Sequence, residues 1–206
     1  MTQATRTYGG VSADERRALR RRQLIDAFFR CLAAGPTEGV SLRAVTAQAG
    51  LNPRYVYEQF TNLEGLFIAA YDLALSEIAQ SIGTALNVEA VEAADDVAAI
   101  VAAICTFVEE APHKARLVVV DSLKIPALAA RRRVAIEASA DQFARRLGSQ
   151  PAYRHLDRDR IALTARFLVG ATGEVIVGTV DHTIPGAPTD HVAALTALFT
   201  GALTAQ

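Results

Sequence analysis

A chain of 206 residues and 22.0 kDa allows one generous domain or two small ones, and it is long enough to build a core without disulfide staples. Hydrophobic residues make up 51% and charged residues 21%, with no Trp, seven Pro and thirteen Gly, which excludes disordered, collagen-like and low-complexity chains. The net charge of −1 divides unevenly: residues 1–60 hold nine Arg and no Lys against five acids (+4), while residues 61–206 hold twelve bases against seventeen acids (−5), so a basic head suited to a polyanion precedes an acidic body.

The elements follow in chain order, nearly all at helical period. Ser12-Ala-Asp-Glu15 has capping-box spacing and opens a first helix to about Ala34, with Leu24, Ile25, Phe28, Phe29 and Leu32 buried and Gly35-Pro36 as its end. Ser41 caps a short helix over 42–49 whose inner face is Leu42, Val45 and Ala49, and Gly50 supplies the left-handed position that closes it. Asn52 and Pro53 open a third helix with Val56, Tyr57 and Phe60 as its apolar face. Thr61-Asn-Leu-Glu64 offers a capping box for a long fourth helix to about Gly83. After the stretch 86–94 the composition changes to Ala/Val/Leu helices, over roughly 92–110, 112–122, 126–147, 158–180 and 189–205, broken at Pro112, Pro126, 148–151 and 185–188. No strand pairing or repeat shows itself, so the chain is all-α.

The mean hydropathy of +0.20 is high, but 97–108 and 192–205 are shorter than the roughly 20 residues a bilayer requires, and 167–180 carries Glu174. The stretch 1–10 has no apolar signal core, and Cys31 and Cys105 stand in no metal spacing. A reducing cytoplasm is the expected compartment.

Ser41 to Tyr57 carries the functional information. Two short helices joined by Gly50-Leu51-Asn52 have helix-turn-helix spacing, in which the second helix enters the major groove and the first crosses the backbone. Leu51 and Val56 lock the pair, leaving Arg54, Tyr55, Glu58 and Gln59 to point away. Helical bundles use the same short pairs with Gly turns, and the +4 head is what favours DNA.

The run Gly50-Leu-Asn-Pro-Arg-Tyr-Val-Tyr57-Glu-Gln-Phe60-Thr-Asn-Leu-Glu-Gly-Leu66 resembles the signature of the TetR family of bacterial transcriptional regulators. The resemblance covers Arg20 to about Tyr71 and implies a three-helix DNA-binding domain (12–66) followed by a larger helical ligand-binding and dimerisation domain (67–206). It implies a DNA-facing set of Ser41, Arg43, Asn52, Pro53, Arg54, Tyr55, Tyr57, Gln59 and Asn62. Within it Ser41, Tyr57 and Gln59 meet phosphates, Arg43 meets a base edge, and Pro53, Arg54 and Tyr55 face bases. Tyr57 alternatively packs as a core aromatic. Glu58 stands where many members have an aromatic, and there it accepts from cytosine or faces solvent. Leu63 replaces the family's usual Lys or Arg and cannot grip a phosphate. The cluster Arg16, Arg17, Arg20, Arg21 and Arg22 either follows the DNA backbone or forms a solvated face.

Enzyme motifs are missing: no P-loop, G-x-G-x-x-G, G-x-S-x-G or H-E-x-x-H is found, and the single Glu110-x-x-His113 is interrupted by Pro112. No enzyme, cofactor or metal is expected. Within the body the resemblance implies an effector pocket, with Phe107, His113, Leu117, Asp121, Phe143 and Phe167 as candidate lining residues. It also implies a homodimer through the last two helices, using Gly173, Gly178, Leu195, Leu198 and Phe199. Asp121 and Glu174 stand out as acids in apolar runs, with Arg166 the expected partner of Glu174 and Arg133 that of Glu137. The expected protein is a cytoplasmic, homodimeric DNA-binding regulator, a repressor of a palindromic operator released by an apolar or amphipathic small molecule. The alternative is a helical small-molecule-binding protein or enzyme with no DNA role.

Overall fold

Every regular element among the residues described by the computed structural model, 12–35, 37–86, 93–153 and 155–204, is helical. Pro36, the stretch 1–10, and the ends of the predicted helices at 92 and 205 lie outside the described residues. The chain divides into two units, Met1–Asp72 and Leu73–Gln206.

In the first unit α1 (Ala13–Ala34) starts with the predicted capping box: Ser12 Oγ accepts from the Glu15 N–H at 3.1 Å, and the Glu15 carboxylate accepts from the Ser12 N–H at 2.6 Å. Hydrogen bonding to its carboxylate from the Ser12 backbone N–H, and then from the Ser12 side chain, holds the Glu15 carboxyl below its ordinary pKa. Leu24 and Phe28 are fully buried, and the Phe28 ring meets the Phe67 ring edge-on at 4.8 Å. Ser41 Oγ accepts from Ala44 N–H at 3.2 Å to cap α2 (Leu42–Ala49), and Val45 is wholly buried. Gly50 takes φ 64°, the left-handed conformation that ends α2 and turns the chain. Asn52 then bonds its Oδ1 to the Arg54 N–H at 2.9 Å at the start of α3 (Arg54–Gln59). Val56 in α3 and Phe60, just past its end, are both buried. Tyr57 is 66% exposed, so it leaves the apolar face the sequence suggested. It follows Val56 by one residue, about 100° round the helix, and so lies at the edge of the exposed side that carries Arg54 and Glu58. The fourth helix, α4 (Leu63–Leu86), is capped one residue later than the Thr61 spacing predicts: Asn62 Oδ1 accepts from Gly65 N–H at 2.9 Å.

The second unit contains the rest of α4 with α5 (Ala93–Glu110), α6 (Pro112–Arg116), α7 (Ser122–Lys124), α8 (Pro126–Ser149), α9 (Arg158–Val180) and α10 (Val192–Thr204). The predicted helix over 112–122 is interrupted by a π turn, Leu117–Asp121, between α6 and α7. Val118, Val119 and Val120 crowd the χ1 space of a tight helix, and the wider turn brings Asp121 under Arg116 at 3.6 Å. One core cluster gathers Val97, Val101, Cys105, Leu147, Leu168, Leu195, Phe199 and Leu203 from α5, α8, α9 and α10. A second cluster groups Phe107, Val108, Ala115 and Ile176. Burial and the nearby Glu109 carboxylate push the Cys105 thiol up. By length and composition α9 as a whole, longer than the apolar stretch 167–180, could cross a bilayer, and it carries Glu174 exposed. In the structure α9 packs along α8.

Candidate functional site

The first unit exposes side chains at two helix starts and along one helix side. Ser41 and Arg43 stand exposed at the start of α2, with Asn52, Pro53 and Arg54 at the start of α3. Tyr57 and Glu58 are exposed along α3, and Asn62 lies exposed just beyond it. Thr46 is buried, and its hydroxyl donates to the Arg43 carbonyl at 2.9 Å.

Tyr55 and Gln59 sit differently, both half-buried towards α1. The Arg20 guanidinium lies over the Tyr55 ring at 4.9 Å, and that of Arg21 over the Phe60 ring at 4.5 Å. Arg21 also donates through Nη1 to the Gln59 carbonyl at 3.2 Å. Two members of the arginine cluster therefore hold α3 against α1, while Arg17 and Arg22 stay exposed. The Nε2 of Gln59 and the Nε of Arg20 are buried without a hydrogen-bond partner. Sequence spacing does not reveal these contacts, because Arg21 and Gln59 are 38 residues apart. Leu63 opens α4 half-buried, with no cation of its own to offer.

In the second unit a groove of about 730 Å³ opens between α4 and α5. Its walls include Glu77, Gln80, Ser81, Thr84, Phe107 and Glu110. Of the six candidate lining residues only Phe107 is in that wall. His113 is half-buried nearby, next to Lys114, whose Nζ bonds Glu77 at 2.6 Å. Burial lowers the His113 pKa, Lys114 lowers it further, and Glu77 opposes both. Leu117 is fully buried core. Asp121 is buried beside Arg116, whose Nη1 also reaches Asp181 at 3.8 Å. Phe143 packs in the other cluster, 6.1 Å from Phe199. Phe167 is 63% exposed on the outer side of α9 and joins none of these residues.

The candidate dimer residues divide as well. Leu198 is 67% exposed, and Leu163 stands out beside Phe167 one turn away on α9. Leu195 and Phe199 are buried in the chain's own core. Space beside Gly173 is open, whereas a Cβ on Gly178 would lie 2.6 Å from Ile184 of the same chain. Glu174 is exposed, and Arg166 reaches Glu137 at 3.6 Å instead, which also revises the expected Arg133–Glu137 pair. The buried acid the sequence did not single out is Asp96, held by Arg146 through two bonds of 2.8 and 3.0 Å and by Gln150. Among the described residues no group of three or more His, Cys, Asp or Glu is arranged to hold a metal.

A helix-turn-helix followed by a larger helical body is the fold of the TetR-like transcriptional regulators, and the chain has that fold. Its structure superposes on the fatty acid degradation regulator FadR from Bacillus halodurans with a TM-score of 0.76 and 18% identity, over 91% of this chain and 97% of that one. The FadR regulator from Bacillus subtilis in complex with stearoyl-CoA gives 0.75 and 15%, over 88% and 98%. A TetR-like transcriptional regulator from Rhodococcus sp. RHA1 gives 0.66 and 17%, over 90% and 94%. No protein-family model matches the chain, and no curated protein sequence matches it.

Proposed function

We propose that the chain is a TetR-family transcriptional regulator, a cytoplasmic homodimeric repressor that binds a palindromic operator and leaves it when a small molecule binds. The observation that carries this reading is the outward face of α3, where Arg54 and Tyr57 stand exposed, together with the exposed Ser41 and Arg43 at the start of α2. These are groups that bond base edges and phosphates. One short helix touches few base pairs, so useful discrimination needs two heads about 34–36 Å apart. The exposed Leu163, Phe167 and Leu198 supply an apolar surface for a second copy, in a two-fold contact where each side chain meets its own kind of surface. The groove between α4 and α5 mixes Phe107 with Gln80, Ser81 and Thr84, which suits an amphipathic effector. In this reading effector and operator are coupled along α4, whose residues belong to both units, through a population shift between two head spacings.

Selection of bound duplexes from a random pool tests the reading. It should return a palindrome with two half-sites one helical turn apart, and Leu198→Asp should abolish its binding while leaving helical content unchanged. Recovery of single half-sites by a protein that sediments as a monomer would contradict the homodimer. A pool with no enriched sequence would contradict the regulator.

A further inference from the structure

The recognition helix carries a charge that opposes the task proposed for it. Glu58 lies exposed on the same face of α3 as Arg54 and Tyr57, where a carboxylate would meet a polyanion. It does not stand alone. Its Oε1 accepts from Arg54 Nε at 2.9 Å, one helical turn away. An exposed pair with Arg preceding Glu adds little to stability, so holding α3 together does not explain the acid. Its effect falls on Arg54. That side chain is 83% exposed, and a long guanidinium in solvent samples many rotamers. Here one bond restrains it, with Nε donating to Glu58 Oε1, while the backbone N–H of Arg54 donates to Asn52 Oδ1 at 2.9 Å and fixes the helix start that carries it. The donors left facing outward are those of the two terminal nitrogens, a planar fork that matches O6 and N7 of guanine.

We propose that Glu58 is a positioning residue that presents the terminal fork of Arg54 to a guanine and so sets the base preference at one position of each half-site. The proposal rests on the DNA-binding reading above. It carries a second consequence of opposite sign. The Arg54–Glu58 pair contributes no net charge to the outward face of α3, so neutralising Glu58 adds attraction to any DNA while removing selectivity.

The experiment compares full-length wild type with Glu58→Gln, Glu58→Asp and Arg54→Ala, by selection from a random duplex pool and by titration of a random duplex. Helical content is checked by circular dichroism. Wild type should enrich guanine at one position per half-site, and Arg54→Ala should lose that enrichment. With Glu58→Gln the rest of the site should persist, the guanine preference should fall about fivefold or more, and random DNA should bind as tightly or tighter. Asp keeps the charge but is one methylene shorter, so Glu58→Asp should bind random DNA as wild type does and still show the weakened guanine preference. Undiminished guanine enrichment in Glu58→Gln, alongside its loss in Arg54→Ala, would overturn the positioning role and leave the DNA-binding reading standing. Equal loss on selected and random DNA in a folded Glu58→Gln protein would also overturn it. A wild type that enriches nothing would remove the DNA-binding reading, and this proposal with it.

Discussion

In the unit Met1–Asp72 the polar groups that cap the helices act on near neighbours, Ser12 with Glu15, Ser41 with Ala44, Gly50 with Thr46 and Ala47, Asn62 with Gly65, although Arg21 also reaches Gln59 across 38 residues. In the unit Leu73–Gln206 the corresponding groups meet across long stretches of chain, Asp96 with Arg146, Glu77 with Lys114, Glu109 with Thr189. Helix ends in the first unit are therefore encoded residue by residue. Packing in the second depends on which distant helices come together. Mutations should separate these two kinds of encoding, with large folding effects in the body and small ones at the local signals of the head.

The largest effect is expected at Arg146→Met, which keeps the aliphatic stem and leaves the buried Asp96 carboxylate with Gln150 alone. A buried acid that loses its cation costs about 3 kcal/mol, read by urea unfolding. A change below about 1 kcal/mol would mean that the body does not depend on this long-range pair. Gly178→Ala comes next, at about 1–2 kcal/mol, because its new methyl must displace Ile184. Gly173→Ala, with open space beside it, should be neutral or mildly stabilising in the same assay. Equal losses at the two glycines would break the contrast drawn between them.

How far each unit could be read from its residues follows the same division. Ser12, Ser41, Gly50, Val56 and Phe60 were legible because a cap, a left-handed turn or an i, i+4 pair lies within a few residues of its cause. Tyr57 admits both a packed and an outward reading because it sits a little over a quarter turn from Val56, and packing leaves it exposed. The stacking of Arg20 on Tyr55 escaped because it needs α1 and α3 placed side by side. Asp96 looked like an ordinary acid at a helix start, and its burial depends on Arg146, 50 residues away. Phe167, a candidate pocket residue in the sequence, stands exposed, since an Ala/Val/Leu helix that is apolar all round gives no periodic hint of its inner side.

Smaller effects sharpen the head's side of the comparison. Gly50→Ala meets no neighbouring atom, so its cost is the left-handed backbone alone, about 1 kcal/mol in urea unfolding. A loss of 3 kcal/mol there would show that the turn is held by more than local geometry. The smallest effect belongs to His113. Its pKa is lowered from 6.5 in the folded chain, so the unfolded chain takes up the proton first, and stability falls as pH drops below about 6.5. Comparison of wild type with His113→Gln at pH 7.5 and pH 5.5 should show the acid-induced loss reduced in the variant. An identical pH dependence would place His113 in a solvated setting.

Binding of Arg54→Ala to a selected duplex and to a random duplex, each titrated at several salt concentrations, tests the central claim most directly. If the outward face of α3 reads bases, the variant loses about 1–3 kcal/mol on the selected duplex beyond any change on the random one. The slope of affinity against salt then falls by no more than about one phosphate per subunit. Equal losses on both duplexes would mean that Arg54 contacts only the backbone and that α3 is not the reading element.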